Sequence, residues 1–523
     1  MRRLCGVTIA AAASVAILAG SSSEGRAAPD RPAWSAAPAA PAASGTLTMA
    51  IATDPGNLDP HLTLLGAART VGSFTYDTLV NVVGPGRLAG NLARSWRVVS
   101  PKRVEFTLRP RITCSDGSAM TATVVKRNLD FVVNPANKSP YLGVGVPVGA
   151  TTTANNRTGR VVVTTKTPNP FMIHGLGLVQ IVCARGLDNR NLLDRGALGS
   201  GPYRLVESVS GDHYTFQVRN GYRWGPNGAT TAARRLPARV ILRVVSNEST
   251  AANLLLTRGI NVATILGAER ARLNSRGYFR RTTIAFPTEL FFNQRPGRPG
   301  ADATVRRAIV QAVNLRQWGT VVTSGRGVRV SQLTRQDVTP CPGNTVSGTV
   351  PAYNPGAARS VLNGRGTRLR IIYPTDAGIA TINSAMELMQ QQLSAAGVNV
   401  TLAGMSTAAL QGAIFGTGDW DVVVIGIGVT SPAQLTPFLN GPTPPNGTNF
   451  SAIDNAVYRT SVARANRRVG RVGCQYWLAG ERALMRQADI IPTSALTAVI
   501  YGNGATFSLS AAGVIPTSLR LTR

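Results

Sequence analysis

Residues 368–404, RLRIIYPTDAGIATINSAMELMQQQLSAAGVNVTLAG, alternate between the pattern of a buried strand and that of an amphipathic helix. The strand pattern covers residues 368–374, and apolar residues then recur on one helical face, at Ile382, Met386, Met389 and Leu393. Gly397 stands where a C′ glycine ends a helix, and VNVTLAG follows it as a second strand. Strand–helix–strand order is typical of a partly parallel sheet, so the stretch predicts an α/β fold.

The sequence on either side of this unit extends the pattern. WDVVVIGIG, at residues 420–428, is typical of another buried strand. Asp302 has the position of an N-cap before a helix that buries Val305, Ile309 and Val313. The methionines of the 368–404 unit are therefore expected to fill a core rather than to hold a ligand.

The first half of the chain has stronger β signals. Thr46 opens a predicted strand, apolar and polar residues alternate in residues 103–110, and residues 160–165 read as a further strand. Residues 121–133 have helical spacing between them. At 523 residues, the chain is too long for a single hydrophobic core and predicts two or three lobes.

The N-terminus has the pattern of an export signal. Arg2 and Arg3 precede a short apolar run that ends at Gly20, and Ser21 opens a polar stretch, so residues 1–23 are predicted to be a signal segment. A single-pass anchor is the alternative. Residues 24–45, rich in alanine and proline, are predicted to be a tether. The run resembles the start of a lipoprotein box, but a lipid cannot be attached to Ser21, so a lipoprotein anchor is not expected.

The chain is strongly basic without a basic cluster. It has 55 lysines and arginines, of which four are lysines, and 24 acidic residues, which gives a net charge of +31. The arginines are spread in singles and pairs, with no run of five, so the concentrated footprint of a nucleic-acid site is missing. The charge favours contact with anionic surfaces or acidic ligands.

Motifs that would indicate catalysis or a cofactor are missing from the sequence. The three histidines, His61, His174 and His213, do not form an H-E-x-x-H motif, and no P-loop, S-x-x-K or G-x-S-x-G pattern occurs. We therefore expect no metal, no cofactor and no catalytic residue. A hydrolase whose site assembles only in the folded chain is the alternative.

Five blocks in the right order carry a resemblance to a known family. They are LTMAIATDPGNLDPHLT (47–63), YDTLV (76–80), LAGNLARSWRVVSPKRVEFTLRPRITCSDGSAMTATVVKRNLD (88–130), GSGPYRLVES (199–208) and ELFFNQRPGRPGADATVRRAIVQAVNLRQW (289–318). The chain resembles the family 5 extracellular solute-binding proteins, the peptide- and nickel-binding components of ABC importers. The resemblance implies a periplasmic-binding-protein-like type II fold.

That fold consists of two α/β lobes joined by a two-crossing hinge, plus a small inserted lobe. The boundaries that the resemblance implies are 46–80, 191–289 and 490–523 for lobe I, 81–190 for the inserted lobe and 290–489 for lobe II. The crossings would lie near residues 286–294 and 488–498. The ligand would bind between the lobes, and closure would bury it.

The resemblance also implies the role. The protein would be the substrate-binding subunit of an ABC importer, exported to the cell surface or the periplasm, monomeric, and would deliver a peptide or peptide-like small molecule to a membrane permease. A ligand sensor or a surface chaperone on the same fold is the alternative from another class. Nickel is less expected because the histidines are scattered.

The expected ligand-binding residues follow from position in the resembling blocks. Peptide binders of the family commonly have aspartates after a buried strand; here Asp421 is present, but Gly428 to Pro432 replace the later ones. A ligand without a free amine, or an acidic ligand met by arginines, is therefore favoured. The candidate contacts are His61, Leu64, Leu65, Gly66, Phe291, Asn293, Gly426, Gly428, Thr430 and Ser431.

The cysteines predict disulfides. Cys5 leaves with the signal, and the remaining four, in an oxidising compartment, suggest two bonds. Three pairings are possible, and the sequence alone does not choose among them. The favoured pairing is Cys114–Cys183 with Cys341–Cys474, because each pair then stays within one implied lobe.

Overall fold

The computed structural model describes residues 43–376 and 379–522. The predicted signal segment, most of the predicted tether and Ser21 lie outside the described residues. Regular structure begins at Thr46, as the sequence predicts. Within the described residues, no helix is both long and apolar enough to cross a membrane.

The strands are numbered in chain order. Strands β1 to β7 are Thr46–Ile51, Val80–Gly84, Arg87–Gly90, Ala93–Ser100, Arg103–Leu108, Thr151–Asn155 and Arg160–Thr164. Strands β8 to β14 are Tyr203–Val209, His213–Val218, Arg239–Val244, Val262–Ile265, Phe279–Phe292, Arg368–Pro374 and Asn399–Met405. Strands β15 to β20 are Val422–Ile425, Ile490–Gly502, Ala505–Thr506, Leu509–Ser510, Gly513–Val514 and Arg520–Leu521.

The helices are numbered in the same way. Helices α1 to α7 are Gly66–Thr75, Ala122–Val133, Met172–Leu176, Ala184–Asp188, Glu248–Leu256, Arg270–Asn274 and Ala303–Ala312. Helices α8 to α14 are Leu315–Val322, Pro355–Leu362, Ile382–Ala395, Thr407–Gly412, Pro432–Leu439, Ala456–Asn466 and Cys474–Arg486. Short 3₁₀ turns lie at Pro135–Asn137, Arg190–Leu193, Pro226–Gly228, Pro299–Ala301, Gly470–Gly473 and Pro516–Ser518, and a π turn at Ala413–Thr417.

A ten-stranded sheet runs through the described chain in the order β14-β13-β15-β12-β16-β11-β1-β10-β9-β8. Strand β13 pairs in parallel with β14 and β15, and β1 pairs in parallel with β10 and β11. Between these two parallel groups lie β12 and β16, which pair antiparallel to each other from Phe279 to Phe291. The sheet is therefore mixed, with a parallel group at each side of a central antiparallel ladder.

The strand–helix–strand unit of residues 368–404 folds as its pattern predicts. Helix α10 buries the predicted face, and Gly397, at φ +90°, is the left-handed C′ residue after it. Asp302 caps α7 by accepting a hydrogen bond from the backbone N–H of Thr304. The predicted strand at 420–428 is shorter than expected, because β15 ends at Ile425 and two exposed glycines follow.

Hydrophobic cores lie on both faces of the sheet. On the side of β13 and β15, one core packs Leu290 and Phe292 against α7, α8 and α10, and the opposite core holds Phe291 with the helices α13 and α14. On the side of β1 and β10, the core packs these strands against α1 and β9.

A separate core belongs to the region that the sequence analysis assigns to an inserted lobe. A four-stranded antiparallel sheet, in the order β4-β5-β7-β6, packs against α2 and α3 there. The disulfide Cys114–Cys183 lies within this core, with a Cα–Cα distance of 6.1 Å. The second disulfide, Cys341–Cys474, has a Cα–Cα distance of 5.2 Å. These are the two pairs that the sequence analysis favours.

A buried ion pair joins the start of α7 to the start of β16. Arg306 donates to Asp489 Oδ1 at 2.7 Å and to the carbonyl oxygen of Gly300 at 2.8 Å, and Asn455 donates to the second oxygen of Asp489 at 2.8 Å. Both charged side chains are 5% exposed. Removal of one partner would leave the other charge buried and unpaired, which is strongly destabilising.

Arg306 and its neighbour Arg307 allow a matched test of the buried ion pair. We expect Arg306→Leu to lower the free energy of unfolding by about 3–5 kcal/mol. Arg307→Leu, one residue away on the exposed face of the same helix, is expected to change it by less than about 0.5 kcal/mol. Urea denaturation of the two purified variants measures both values, and equal losses would contradict a structural role for the buried pair.

Candidate functional site

The carboxyl ends of the parallel strands meet around a cavity of about 470 Å³. In open α/β sheets, ligands bind outside the carboxyl ends of strands, because the loops that leave them are free to carry binding groups. One wall follows β1, β10 and β11, and the other comes from the end of α8, from residues 379–381 after β13 and from Leu496 of β16. The cavity therefore lies between the two halves of the sheet.

The described walls of this cavity carry little charge. Glu248 is the one ionisable residue among them, and its carboxylate accepts hydrogen bonds from the backbone N–H groups of Leu266 and Gly267. No arginine or lysine is among these lining residues, although the chain has a net charge of +31. The cavity is therefore not built to neutralise an anion, and the sequence-based preference for an acidic ligand met by arginines finds no support in these walls.

Hydroxyl groups supply the polar character of the walls. Thr70, Thr323 and Thr381 donate their hydroxyl protons to backbone carbonyl oxygens at 2.9, 2.7 and 2.8 Å. Since a hydroxyl that has donated its proton keeps two lone pairs, these three groups present acceptors. The cavity thus combines apolar walls with hydroxyl groups. These three present acceptors, and the other lining hydroxyls, those of Thr53, Ser246, Thr264 and Ser324, can donate or accept.

His61 is a structural residue in this fold. It is fully buried, its Nε2 lies 2.9 Å from the carbonyl oxygen of Gln180, and Arg190 lies 3.4 Å from its Nδ1. Arg190 also donates to Asp59 at 2.8 Å, so the ring belongs to a closed network. Burial, and next the nearby Arg190, lower the pKa of His61 to about 4. The structure leaves no ring atom of His61 free for a ligand.

Three candidate contacts follow His61 in the chain, and one of them lines the cavity. Leu64 and Leu65 are 44% and 60% exposed, and Gly66, the first residue of α1, lines the cavity. Of the candidate contacts, Gly66 is the one that the cavity wall contains.

Phe291 and Asn293 lie in the interior instead. Phe291 is completely buried in the core beside Phe450, with ring centroids 5.0 Å apart. The side chain of Asn293 donates to the carbonyl oxygens of Gly418 and Trp420 at 3.1 and 2.8 Å. Both residues hold the end of β12 in place, and neither lines the cavity.

The segment after β15 divides into an exposed part and a buried part. Gly426 and Gly428 are exposed, whereas Thr430 and Ser431 are buried and donate their backbone N–H groups to Gln434 Oε1, each at 3.0 Å. Thr430 and Ser431 therefore fix the start of α12. Gln434 also donates to the carbonyl oxygen of Val144 at 3.3 Å, so this segment contacts the predicted inserted lobe.

A buried acid, Glu289, lies next to this segment and was not among the sequence-based candidates. It is 1% exposed, and its Oε2 accepts the backbone N–H of Ile427 at 3.0 Å, while Oε1 has no partner among the described residues. Burial raises the pKa of Glu289 to about 8. In the sequence, Glu289 stands out as one acidic residue in the apolar run of residues 284–292. That pattern does not show whether its carboxyl group finds a hydrogen-bond partner in the folded chain.

The histidines do not form a metal site. Among residues 43–376 and 379–522, no three histidine, cysteine, aspartate or glutamate side chains are grouped closely enough to hold a metal ion. His174 is buried, with its pKa lowered by burial to about 4, and His213 lies beside Asp212 at 2.8 Å.

Comparison with known proteins relates this chain to proteins that bind solutes. The profile described as "Bacterial extracellular solute-binding proteins, family 5 Middle" matches residues 87–449. A curated relative, the glutathione-binding protein GsiB of Pectobacterium atrosepticum, is 25% identical over 407 residues, which cover 74% of this chain and 73% of GsiB.

Solved structures show the same fold. A substrate-binding protein from Microbacterium hydrocarbonoxydans, complexed with 4-hydroxybenzoate hydrazide, has a TM-score of 0.76 and 24% identity, and the match covers 91% of this chain and 100% of that one. The periplasmic binding protein DppA of Helicobacter pylori, in complex with the peptide STSA, has a TM-score of 0.72 and 18% identity, with 92% and 99% covered. The predicted type II fold is thereby confirmed.

Glu289 makes the stability of the protein depend on pH. Its pKa of about 8 in the folded chain exceeds the ordinary value of about 4.3, so the folded state binds the proton more tightly than the unfolded state. The stabilisation is complete below about pH 4 and is lost as the pH rises to about 8.

Glu289→Gln is expected to remove this contribution. The variant should gain stability relative to the wild type between pH 5 and pH 8, by a few kcal/mol at most, since one pKa unit is about 1.4 kcal/mol. Urea denaturation midpoints of the wild type and the variant at pH 5 and pH 8 measure this relative gain in stability. If the difference in stability between the two proteins does not change with pH, the raised pKa of Glu289 is contradicted.

Proposed function

Because the chain belongs to the bacterial extracellular solute-binding proteins of family 5, we propose that it is the exported, monomeric binding subunit that captures a peptide-like small molecule for an ABC permease. The observation that carries this proposal is the cavity at the carboxyl ends of the strands, which both halves of the sheet line. A ligand that contacts both halves stabilises their closed arrangement, and closure is the signal that such a subunit can give to a permease.

The walls of the cavity support a ligand that is neutral or cationic and that forms hydrogen bonds with hydroxyl groups. Acceptor hydroxyls and apolar side chains suit a peptide backbone with apolar substituents, and the walls offer no cation for a carboxylate. The relatives named for glutathione and for a bound peptide agree with a peptide-like class.

The central ladder supplies the proposed hinge. Strands β12 and β16 have register shifts between Ile284 and Phe286 and between Thr288 and Glu289, which interrupt the regular ladder within the predicted crossing. Near the second shift, Thr288 Oγ1 donates to the carbonyl oxygen of Ser494 at 2.8 Å. We place the bending of the two halves at these irregularities, where fewer regular hydrogen bonds resist it.

The described residues favour binding over catalysis. His61 is held within a network, and the cavity walls lack a nucleophile with an adjacent base. The proposed role therefore has no chemical step, and no observation favours the sensor, chaperone or hydrolase alternatives over it.

The experiment is mass spectrometry of small molecules released by denaturing the freshly purified mature protein. We expect a peptide or peptide-like compound in the wild type and at least about tenfold less in Thr264→Trp, because this exposed cavity-lining residue would place an indole in the ligand space.

Thr401→Trp is the matched control, because Thr401 is an exposed threonine on the edge strand β14 and does not line the cavity. It should retain the compound at the wild-type level. Equal retention by Thr264→Trp would contradict the cavity as the ligand site, and release of a substrate-derived product would contradict a pure binding role.

A further inference from the structure

Glu289 is a buried carboxyl group that the fold leaves half satisfied. A carboxylate has two oxygens that can accept about four hydrogen bonds, and buried polar groups in native proteins are almost always paired. In Glu289 only Oε2 has a partner, the backbone N–H of Ile427 at 3.0 Å. Oε1 is buried and has none among the described residues, and no arginine or lysine there forms an ion pair with it.

Three other buried carboxyl groups of the described chain have partners on both oxygens. Asp59 accepts from Arg190 at 2.8 Å, and Asp489 accepts from Arg306 at 2.7 Å. Asp77 accepts from three neutral donors, the hydroxyls of Ser200 and Tyr222 and the indole of Trp224, at 2.8 to 3.0 Å. Glu481 also has one oxygen without a partner, but its other oxygen accepts two hydrogen bonds, from the Thr345 hydroxyl and the backbone N–H of Leu333. Glu289, with a single donor, is therefore the least satisfied of these groups, and its unpaired oxygen calls for an explanation.

The position of Glu289 gives that explanation. Ile427, its one partner, lies between the exposed Gly426 and Gly428, just after the carboxyl end of β15. A Cβ atom on Gly428 would meet nothing within 4 Å, so open space adjoins the loop there. Gly426 and Gly428, the chain neighbours of Ile427, thus have no side chain that could cover the carboxyl group.

We propose that Glu289 binds a cationic group of the captured ligand, an ammonium or guanidinium that approaches past Gly426 and Gly428. This inference rests on the proposed function and adds a subsite that is separate from the cavity, since Glu289 is not among the cavity-lining residues. A cationic N–H donor would complete the carboxylate with a charge-assisted hydrogen bond, the strong kind in a buried setting.

The state of the carboxyl group without a cation agrees with this role. Burial raises the pKa of Glu289 to about 8, so the group is largely protonated at neutral pH and does not hold an unpaired charge in the interior. An approaching cation favours the ionised form, and the proton then leaves to the solvent. The acid is therefore selective for a cation without the cost of a permanently buried charge.

The test uses capture of short peptides by the ligand-free mature protein. The probes are a casein hydrolysate of short peptides and the same hydrolysate after acetylation of every amine. Wild-type protein is incubated with each, washed and denatured, and the released peptides are counted by mass spectrometry. Among peptides without arginine, we expect at least about tenfold more capture of the untreated ones, because acetylation removes every ammonium group. Peptides with arginine keep a guanidinium after acetylation and should still be captured.

Two variants and one control complete the test. Glu289→Gln, which keeps the shape of the side chain and its bond to Ile427, should capture both hydrolysates equally, and Gly428→Trp should capture little of either. Glu481→Gln is the matched control, because Glu481 is also buried with one unpaired oxygen but accepts from Thr345 at 2.9 Å and lies in helix α14. It should keep the wild-type preference.

The outcomes separate this inference from the proposed function. Equal capture of both hydrolysates by the wild type, or an unchanged preference in Glu289→Gln, would overturn the cation subsite and leave ligand capture standing. Capture of neither hydrolysate would also overturn the subsite for peptides. The proposed function would then be decided separately, by the compounds that co-purify with the untreated protein.

Discussion

The antiparallel pairing of β12 with β16 is the constraint on which the rest of the structure depends. These two strands lie at the centre of the ten-stranded sheet, between the parallel group of β13, β14 and β15 and the group of β1, β10 and β11. Because every strand end at the cavity is positioned through this ladder, its two register shifts set how the groups face each other. The buried pair of Arg306 and Asp489 fastens α7 to the start of β16 and so stabilises one end of the ladder.

The buried acids of this fold differ in how completely their oxygens are hydrogen-bonded. Asp59 and Asp489 have arginine partners, and Asp77 has three neutral donors, so each fixes segments that are distant in sequence. Glu289 has one backbone donor and adjoins an open loop. Under the proposed role, the oxygen that Glu289 leaves unpaired is the one that a cationic group of the ligand would complete.

Local patterns predicted the elements well, whereas the surroundings of the candidate site residues depend on contacts between distant segments. Helix α10, the caps at Asp302 and Gly397, and the strands of residues 368–404 follow from periodicity and backbone preference, which are local properties. His61 was expected at the ligand because it follows the D-P loop, but its partners Gln180 and Arg190 come from more than a hundred residues away. Glu289 was missed for the same reason, since a missing partner is a property of the folded chain.

The overall composition and the lining of the cavity differ in charge. A net charge of +31 suggests that arginines would meet an acidic ligand, but none lines the described cavity walls, where Glu248 accepts hydrogen bonds from backbone N–H groups. Exposed charges act over the screening length of the solvent, about 8 Å at physiological salt, and so attract the whole protein to anionic surfaces. Selection of a ligand depends on the few groups that it contacts after water is excluded. The cavity proposed as the ligand site offers such groups as hydroxyls and one carboxylate, without the cations that dominate the composition of the chain.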